Sequence, residues 1–325
     1  MKFAVVGAGA IGAYVGASLA RAGEDVTLIA RGEHLRAMKA GGVRVESPRG
    51  DFEAHPAATD DMREVGPVDV VIIALKAHQI APVIDDIATM FGPHTSVVAM
   101  QNGIPWWYFS GDAGPHAGRR IASVDPDGRI GAAIAPERVV GCVIYCSTEI
   151  VAPGVIRHTE GTRYSMGDPV RGISARTQAL AAAFARGGLK APVEADIRTE
   201  IWLKLLGNAA FNPISALTRA TLVDMCDDPL VEPLLVELMT ESVAVAAALG
   251  VVVPLSIEKR IDGTRRVGAH KTSMLQDLEA RKPLELDALI GAIVELGEIA
   301  GVPTPATRHI YALAKLLDRS VQAGR

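Results

Sequence analysis

The sequence predicts two domains: an N-terminal α/β domain with a doubly wound parallel sheet, and an all-α C-terminal domain. Strand and helix patterns alternate through roughly the first 110 residues, which is typical of such a sheet. Val68–Leu75 is almost wholly apolar, as expected of a parallel strand that is buried on both faces. From Asp196 onward the apolar residues recur with helical spacing. We therefore expect the domains to span residues 1–195 and 196–325.

The first strand, turn and helix form a recognisable unit. Phe3–Val6 is a short apolar strand, and Ala13–Ala22 has the pattern of a helix. Between them, glycines at G-x-G-x-x-G spacing allow a tight turn, close approach of a pyrophosphate and close packing of the helix, whose N-terminus attracts phosphate. This is the arrangement of a Rossmann-type domain. We expect the whole loop to bind a dinucleotide: Gly7, Ala8, Gly9, Ala10, Ile11 and Gly12.

The end of the second strand, Asp25–Ile29, indicates which dinucleotide binds. NAD-preferring sites usually place Asp or Glu there, to accept a hydrogen bond from the ribose 2′-hydroxyl. This chain has Ala30-Arg31-Gly32 instead, and the guanidinium of Arg31 suits a 2′-phosphate. The sequence therefore favours NADPH (NADP⁺) over NADH. The alternative is that Arg31 is an ordinary solvated arginine.

The remaining elements follow from local patterns. Further strands are expected at Ser96–Met100, Val139–Tyr145, Gly154–His158, Arg163–Gly167 and, as one last short strand, Pro192-Val193. Helices are expected at Ile173–Ala185, Arg198–Phe211, Val231–Leu249, Leu284–Ala300 and Thr307–Leu317. Pro213 should limit the second of these helices at Asn212. A ligand cleft between the two domains is the default expectation.

Composition excludes several function classes. The net charge is −4 and there is no basic run, so no nucleic-acid partner is expected. No stretch of 18 apolar residues is present, and Lys2 is the only charge leading the apolar N-terminus, so we expect neither a membrane span nor a signal peptide. We expect a soluble, cytoplasmic protein, and the sequence allows a homodimer. Cys142 and Cys146 are interpreted as small core residues, and no metal site is expected.

Polar residues stand where two strands end, which is where open α/β sheets bind ligands. Lys76 follows the Val68–Leu75 strand, and Gln101-Asn102-Gly103 follows the Ser96–Met100 strand. A solvated lysine and an ordinary Asn-Gly turn remain the alternatives.

A polar stripe opens the second domain. Lys204, Asn208 and Asn212 recur at i, i+4 and i+8, so they share one face of a mainly apolar helix. Buried polar groups need partners, and a desolvated lysine has a lowered pKa that suits proton transfer. The alternative is a solvated helix face. Further on, Ser273 could donate to a carboxylate and Glu285 could hold a hydroxyl, although by composition alone an exposed helix cap and a first-turn acid are the commoner interpretations.

These motifs together resemble the ketopantoate reductase (2-dehydropantoate 2-reductase) family, and the resemblance runs through most of the chain. The matching segments are Leu75-Lys76, Gln101-Asn102-Gly103, Glu200-x-Trp-x-Lys204-x3-Asn208-x3-Asn212-Pro213, and Ser273-Met-Leu-Gln-Asp277 followed by Glu285-x-Asp287. The resemblance implies NADPH-dependent reduction of ketopantoate, a small branched 2-oxo acid, to pantoate in pantothenate biosynthesis.

The resemblance also implies residue roles. Lys204 would be the general acid, and Glu285 would hydrogen-bond the substrate hydroxyl. Asn208, Asn212 and Ser273 would surround the substrate. Lys76 and Asn102 would contact cofactor and substrate, and Arg31 would bind the 2′-phosphate.

The chain departs from the family pattern in three places. Trp106-Trp-Tyr-Phe109 follows the Gln101 motif and is expected to line the cleft or an interface, with core packing as the alternative. Residues 110–131 form a Gly/Pro-rich insertion, and Leu222 lies near a position where the family often has asparagine.

Two rival functions follow. One is a related NADP-dependent dehydrogenase acting on another 2-oxo acid, a 3-hydroxy acid or an imine. The other is a non-catalytic dinucleotide sensor, against which the polar stripe argues.

Overall fold

A computed structural model describes residues 1–111 and 114–324. The chain divides into two compact units. The first unit comprises Met1–Gln101, Trp106–Arg120 and Asp127–Ile197, and the second comprises Asn102–Pro105, Ile121–Pro126 and Arg198–Arg325. The sequence patterns did not indicate that the two short segments group with the helical unit. Part of the expected 110–131 insertion, residues 112–113, lies outside the described residues.

The first unit contains one sheet of nine strands within the described residues. The strands are β1 Lys2–Val6, β2 Asp25–Ile29, β3 Val43–Glu46, β4 Phe52–Ala54, β5 Ala57–Thr59, β6 Val68–Ile73, β7 Phe91–Ala99, β8 Val139–Ala152 and β9 Val155–Gly167. Their order across the sheet is β4-β3-β9-β8-β7-β6-β1-β2-β5.

The sheet is mixed, which corrects the expectation of a purely parallel one. β5, β2, β1, β6, β7 and β8 pair in parallel, with Val5 opposite Leu28 on one side and Ile72 on the other. β8 and β9 pair antiparallel, as do β3 and β4. The cause between β8 and β9 is the two-residue connection Pro153-Gly154, because a hairpin turn can join only antiparallel strands. Gly154 adopts φ +77° there.

Several strand bounds differ from the sequence expectation. β9 is one continuous strand, whereas two were expected, because pairing to β8 continues through the polar, exposed residues at its centre. β7 begins five residues earlier than expected, at Phe91, and β6 ends at Ile73. Pro192-Val193 forms only an isolated bridge, between Val193 and Met166. β3, β4 and β5 were not anticipated.

Four α-helices lie between these strands in the described residues: α1 Ala10–Arg21, α2 Gly32–Gly41, α3 Ile84–Ala88 and α4 Arg129–Ala133. A fifth, α5 Ala175–Arg186, follows the last strand. α1 packs directly on the sheet. A Cβ built on Gly16 would lie 2.3 Å from Leu28 Cδ2, so only glycine allows this approach. The core between them is fully buried and includes Phe3, Val5 and Leu28. The predicted α/β fold class is confirmed.

The second unit is helical, and its described residues contain no strand. Its helices are α6 Ile197–Thr218 (from Arg198 onward), α7 Leu222–Asp227, α8 Val231–Ala248, α9 Ile257–Arg265, α10 Ser273–Glu279, α11 Ala292–Ala300 and α12 Pro305–Gln322. A π-helical turn, Asp287–Gly291, directly precedes α11. No described helix combines the length and apolar character needed to cross a bilayer.

Pro213 does not limit α6 at Asn212, which corrects the sequence expectation. The helix continues to Thr218 although proline cannot donate a backbone hydrogen bond. Residues 209–216 are all buried, and Phe211 and Ile214 belong to the core of this unit. Packing of this buried segment outweighs the lost hydrogen bond.

Candidate active site

The glycine loop lies at the carboxyl end of β1, between that strand and α1. A Cβ on Gly12 would lie 2.2 Å from the Gly7 carbonyl oxygen, and one on Gly7 would lie 2.7 Å from Leu75 Cδ2. Both glycines are therefore required by the fold itself. A Cβ on Gly9 would meet nothing within 4 Å, so the backbone there is open to a ligand. No side chain caps α1, and its first turn contains no acid, as a phosphate-binding helix N-terminus requires.

Backbone hydrogen bonds to β2 fix the position of the glycine loop. The backbone N–H of Ala8 donates to the Ile29 carbonyl at 2.9 Å, and Gly7 N–H donates to the same oxygen at 3.3 Å. Arg31 follows this strand directly. It stands before the first turn of α2, is exposed, and forms no ion pair within the described residues.

His34 is a neighbour of this loop that the sequence analysis did not single out. The N–H of Gly154 donates to His34 Nδ1 at 3.0 Å, so this nitrogen is the acceptor and Nε2 carries the proton of the neutral ring. Burial lowers the pKa of His34, while the nearby Ala8 carbonyl acts in the opposite direction with a smaller effect. His34 is thus bonded to the β8–β9 turn through Gly154, while its Nε2 atom is buried without a hydrogen-bond partner in the described residues. The sequence feature that could have drawn attention to His34 is its position in the first turn of the helix that follows Arg31.

Gln101 and Lys76 stand at the ends of β7 and β6, as predicted. The Gln101 Nε2 group donates to the carbonyls of Ile73 at 2.8 Å and Leu75 at 3.2 Å, which fixes the orientation of its amide. Its Oε1 atom is buried without a hydrogen-bond partner in the described residues. A buried acceptor in need of a donor fits a ribose hydroxyl or a carboxamide of a bound dinucleotide. Lys76 is half-buried and precedes a 3₁₀ turn, Ala77–Gln79.

The helical unit brings Lys204 and Asn102 together. Lys204 Nζ donates to Asn102 Oδ1 at 2.7 Å. This contact orients the amide of Asn102 so that its NH₂ group points away from the lysine. Both side chains are only half-buried, so a ligand can reach them. The hydrogen bond joins two residues that the sequence analysis assigned to separate motifs.

The π-helical turn holds the Asn102 segment in place. The N–H of Ile104 donates to the Ala288 carbonyl at 2.8 Å. Gly103 adopts φ +83°, and a Cβ on it would lie 2.1 Å from that same carbonyl oxygen. Such π turns interrupt the regular i to i−4 pattern and are frequent at functional sites.

Asp287, the second acid of the Glu285-x-Asp287 motif, anchors the π turn to α12. It accepts hydrogen bonds from the hydroxyl of Tyr311 and, at 3.1 Å, from Lys315 Nζ. Burial, and then the carboxylate of Asp287, raise the pKa of Tyr311 far above its usual value. Asp287 is therefore a positioning residue for the backbone that contacts Gly103.

A cavity of about 240 Å³ in the helical unit is lined by three of the six predicted substrate residues, and Lys204 and Asn102 are not among the residues that line it. Asn208, Asn212 and Ser273 all line it, together with Leu222 and Arg260. The Asn208 and Asn212 amides have no hydrogen-bond partner in the described part of the chain, so both are available to a ligand. Ser273 is exposed and is not the helix cap, because Thr272 Oγ1 accepts the capping bond from Leu275 N–H.

Glu285 is not among the residues that line this cavity. It is half-buried in the coil that leads into the π turn, and not in the first turn of a regular helix. Sequence reasoning also missed Arg260. Its sequence neighbourhood gives no distinct signal, because its contact with Gly207 is visible only in the structure.

The expectation that the aromatic run lines a cleft is not supported. Trp106, Trp107, Tyr108 and Phe109 are all buried, each at most 8% exposed. Trp107 packs on β8, where a Cβ on Gly141 would lie 2.6 Å from its ring. Four large aromatics gain more from burial than from solvent contact, so the run is core packing of the first unit.

A Rossmann-type unit with an open glycine loop, and a helical unit that contains a lysine–asparagine pair and a polar cavity, define the class of dinucleotide-dependent oxidoreductases. Comparison with known proteins gives the family. The family model "Ketopantoate reductase PanE/ApbA" matches residues 3–170, and its C-terminal counterpart matches residues 196–318. The chain therefore belongs to the ketopantoate reductase family, which confirms the resemblance seen in its motifs.

Individual relatives agree over nearly the full length. A 2-dehydropantoate 2-reductase of Mesorhizobium japonicum is 48% identical over 98% of both chains. A crystal structure from Ralstonia solanacearum MolK2, assigned as a ketopantoate reductase, is 42% identical with a TM-score of 0.93 and covers 98% of both chains. The structure of 2-dehydropantoate 2-reductase from Methylococcus capsulatus is 31% identical with a TM-score of 0.82, covering 99% of this chain and 98% of that one.

Proposed function

We propose that this protein catalyses the NADPH-dependent reduction of ketopantoate to pantoate. The single observation that supports this most strongly is the bond from Lys204 Nζ to Asn102 Oδ1, on the same helix face as two available amides in a small cavity. A proton donor next to groups that can hold a small polar acid is what carbonyl reduction requires.

The residues of the first unit fit a dinucleotide. The open backbone at Gly9 and the uncapped N-terminus of α1 suit the pyrophosphate. Arg31 suits the 2′-phosphate because it is exposed, follows β2 and is not neutralised by an acid in the described chain. Lys76 and Asn102 stand where the chain leaves β6 and β7, and we assign them to the cofactor as well. When bound, reduced nicotinamide supplies the hydride.

Lys204 supplies the proton. Hydride addition to C2 of the substrate places negative charge on the carbonyl oxygen, and a cationic donor stabilises that charge. Lys204 Nζ gives its proton to this oxygen, the C2 carbonyl becomes a hydroxyl, and water then returns a proton to the lysine. Asn102 Oδ1 holds Nζ in position during this cycle.

Asn208, Asn212 and Ser273 hold the substrate. Their amide and hydroxyl donors bind a carboxylate without adding a negative charge that would neutralise Lys204. Glu285, following the family resemblance, accepts a hydrogen bond from the 4-hydroxyl of ketopantoate.

A substrate panel tests the proposal. Oxidation of NADPH and of NADH is followed with ketopantoate, 2-oxoisovalerate, pyruvate and 2-oxoglutarate. We expect the highest kcat/KM with ketopantoate and NADPH. A higher kcat/KM with another 2-oxo acid would reassign the substrate, and binding of NADPH without turnover of any of them would make the protein a sensor.

A further inference from the structure

Arg260 is a cationic group in the candidate substrate cavity that the proposed mechanism does not use. It lies on α9 and lines the cavity with Asn208, Asn212 and Ser273. Its guanidinium lies against α6 at Gly207: a Cβ on that glycine would be 1.8 Å from Nη2 and 2.5 Å from Cζ. The guanidinium therefore occupies the space that any other side chain at position 207 would fill.

Gly207 is otherwise an unfavourable residue at its position. It lies in the interior of the 22-residue α6, where glycine destabilises a helix relative to alanine. Its immediate neighbour is Asn208, and Lys204 is three residues before it. The space that the Arg260 guanidinium occupies is thus created by Gly207, in the same segment of α6 that carries Lys204 and Asn208. This contact gives the guanidinium a defined position beside those polar residues.

A second cation also lines the cavity. This is Lys271, whose Nζ donates to both carboxylate oxygens of Glu279, at 2.7 and 2.9 Å. No acidic residue is among those that line the cavity in the described chain. Leu222, which stands near a position where the family often has asparagine, lines it with an apolar side chain. The residues that line the cavity in the described chain thus include two cations, Arg260 and Lys271, and no carboxylate.

We propose that Arg260 binds the substrate carboxylate and makes this cavity selective for 2-oxo acids over neutral 2-oxo compounds. The inference rests on the proposed function, because it takes the cavity as the substrate site. The planar guanidinium presents parallel N–H donors that match the two oxygens of a carboxylate, which amides and a hydroxyl alone cannot match in charge.

The test compares a 2-oxo acid with its primary carboxamide, which keeps the shape and lacks the charge. In the wild-type protein we expect kcat/KM to favour the acid. Arg260→Gln should lower kcat/KM for the acid about 10- to 100-fold, chiefly through KM, as loss of a charge-assisted pair implies. The amide should change less than about threefold. Lys259→Gln, an exposed cation removed from the same helix, is the matched control and should behave as wild type.

A second variant displaces the Arg260 guanidinium by a change on α6. Gly207→Ala should displace the guanidinium and reproduce the loss of acid selectivity, while alanine favours the helix. Calorimetric titration of the NADP⁺ complex with the 2-oxo acid measures binding independently of turnover. The inference is overturned if Arg260→Gln weakens acid and amide equally, or leaves acid binding unchanged. Absence of turnover in the wild-type protein, with acid binding that still depends on Arg260, would contradict only the proposed reaction.

Discussion

Lys204 and Asn102 are 102 positions apart in the chain, yet their side chains form a 2.7 Å hydrogen bond. The lysine lies on α6 and the asparagine follows β7, so the bond joins two motifs that sequence spacing alone leaves separate. The catalytic hypothesis at the residue scale depends on this pair, because the amide oxygen fixes where the ammonium group can deliver a proton.

Removing the ammonium group should abolish most of the activity. We expect Lys204→Met, which keeps the apolar stem, to lower kcat by roughly 10²–10⁴ while NADPH affinity stays near normal. Lys204→Ala should be equally inactive. Steady-state kinetics and fluorescence titration with NADPH check both points. Substantial activity in a folded Lys204→Met protein would make the residue a solvated lysine without a catalytic role.

The 2′-phosphate assignment has its own test at Arg31. We expect Arg31→Ala to weaken NADPH binding by about 1.5–3 kcal/mol, the scale of a charge-assisted hydrogen bond, and to leave NADH binding nearly unchanged. Arg36→Ala, which removes an exposed arginine from α2, the helix that Arg31 directly precedes, is the control. Equal losses for NADPH and NADH in Arg31→Ala would remove the residue from the cofactor site.

Residue-scale reasoning from the sequence had a physical limit. It could predict Lys204, Asn208 and Asn212 because helical spacing places them on one face. It could not find Arg260, because an arginine on a charged amphipathic helix looks like any solvated one. Only the contact with Gly207 distinguishes it, and that contact depends on how α9 packs on α6.

At the scale of elements, the π turn before α11 controls the position of Asn102. Gly103→Ala places a Cβ 2.1 Å from the Ala288 carbonyl in addition to the strain of positive φ. We expect the segment to shift and kcat to fall about 10²-fold, because small displacements of a positioned group are costly. Gly250→Ala is a matched control: its φ is +76°, but a Cβ there meets nothing within 4 Å.

Comparison of Gly103→Ala with Gly250→Ala separates the effect of backbone strain at positive φ from the effect of displacing Asn102. Gly250→Ala should cost about 1–2 kcal/mol of stability from positive φ alone and keep full kcat. Gly103→Ala should lose both stability and kcat. Thermal unfolding and steady-state kinetics on the same samples give both quantities. A Gly103→Ala protein with normal kcat would show that the π turn does not position Asn102.

His34 should make the first unit sensitive to acid. Burial lowers the pKa of His34 in the folded protein below its usual value of 6.5, so the unfolded chain binds the proton more tightly. The stabilising contribution of the neutral ring is therefore complete above about pH 6.5 and is lost as the pH falls through the folded-state pKa. Protonation also removes the acceptor for the Gly154 N–H.

The measurement is Tm as a function of pH between about 8 and 5. Over the acidic half of this range, the Tm of the His34→Gln variant should fall less than the Tm of the wild-type protein. His94→Gln, which removes an exposed histidine of the same unit, should follow the wild-type curve. Parallel curves for wild type and His34→Gln would exclude His34 as the source of the acid sensitivity.

Element prediction from sequence succeeded where one pattern dominates. β1, β2 and α1 follow from their apolar runs and glycines. It failed where tertiary structure overrides local signals: β9 keeps pairing through its polar centre, and α6 continues through Pro213 because the residues around it are buried. The aromatic run was misread for the same reason, since sequence cannot tell a buried tryptophan from one in a cleft.

At the scale of the molecule, the change from alternating to helical patterns at Asp196 is visible in the sequence. The two short segments of the helical unit that lie earlier in the chain are not. Ile104 N–H donates to Ala288, and the N–H groups of Ala122 and Ser123 donate to Glu295 at 2.7 Å. Partners more than 170 positions away leave no periodic trace in the sequence. The domain limits 1–195 and 196–325 therefore remain a prediction of sequence pattern, to be tested by expressing each part alone.

The central claim is that this protein transfers a hydride from NADPH to a 2-oxo acid. The most direct test uses NADPH carrying deuterium at the transferring C4 position, with ketopantoate and the wild-type protein. The account predicts pantoate with one deuterium at C2 in equal amount to the NADP⁺ formed, and formation of this labelled product roughly 10²–10⁴ times more slowly by Lys204→Met. NADPH consumed without labelled pantoate, or labelled pantoate formed by the Lys204→Met variant at the wild-type rate, would contradict it.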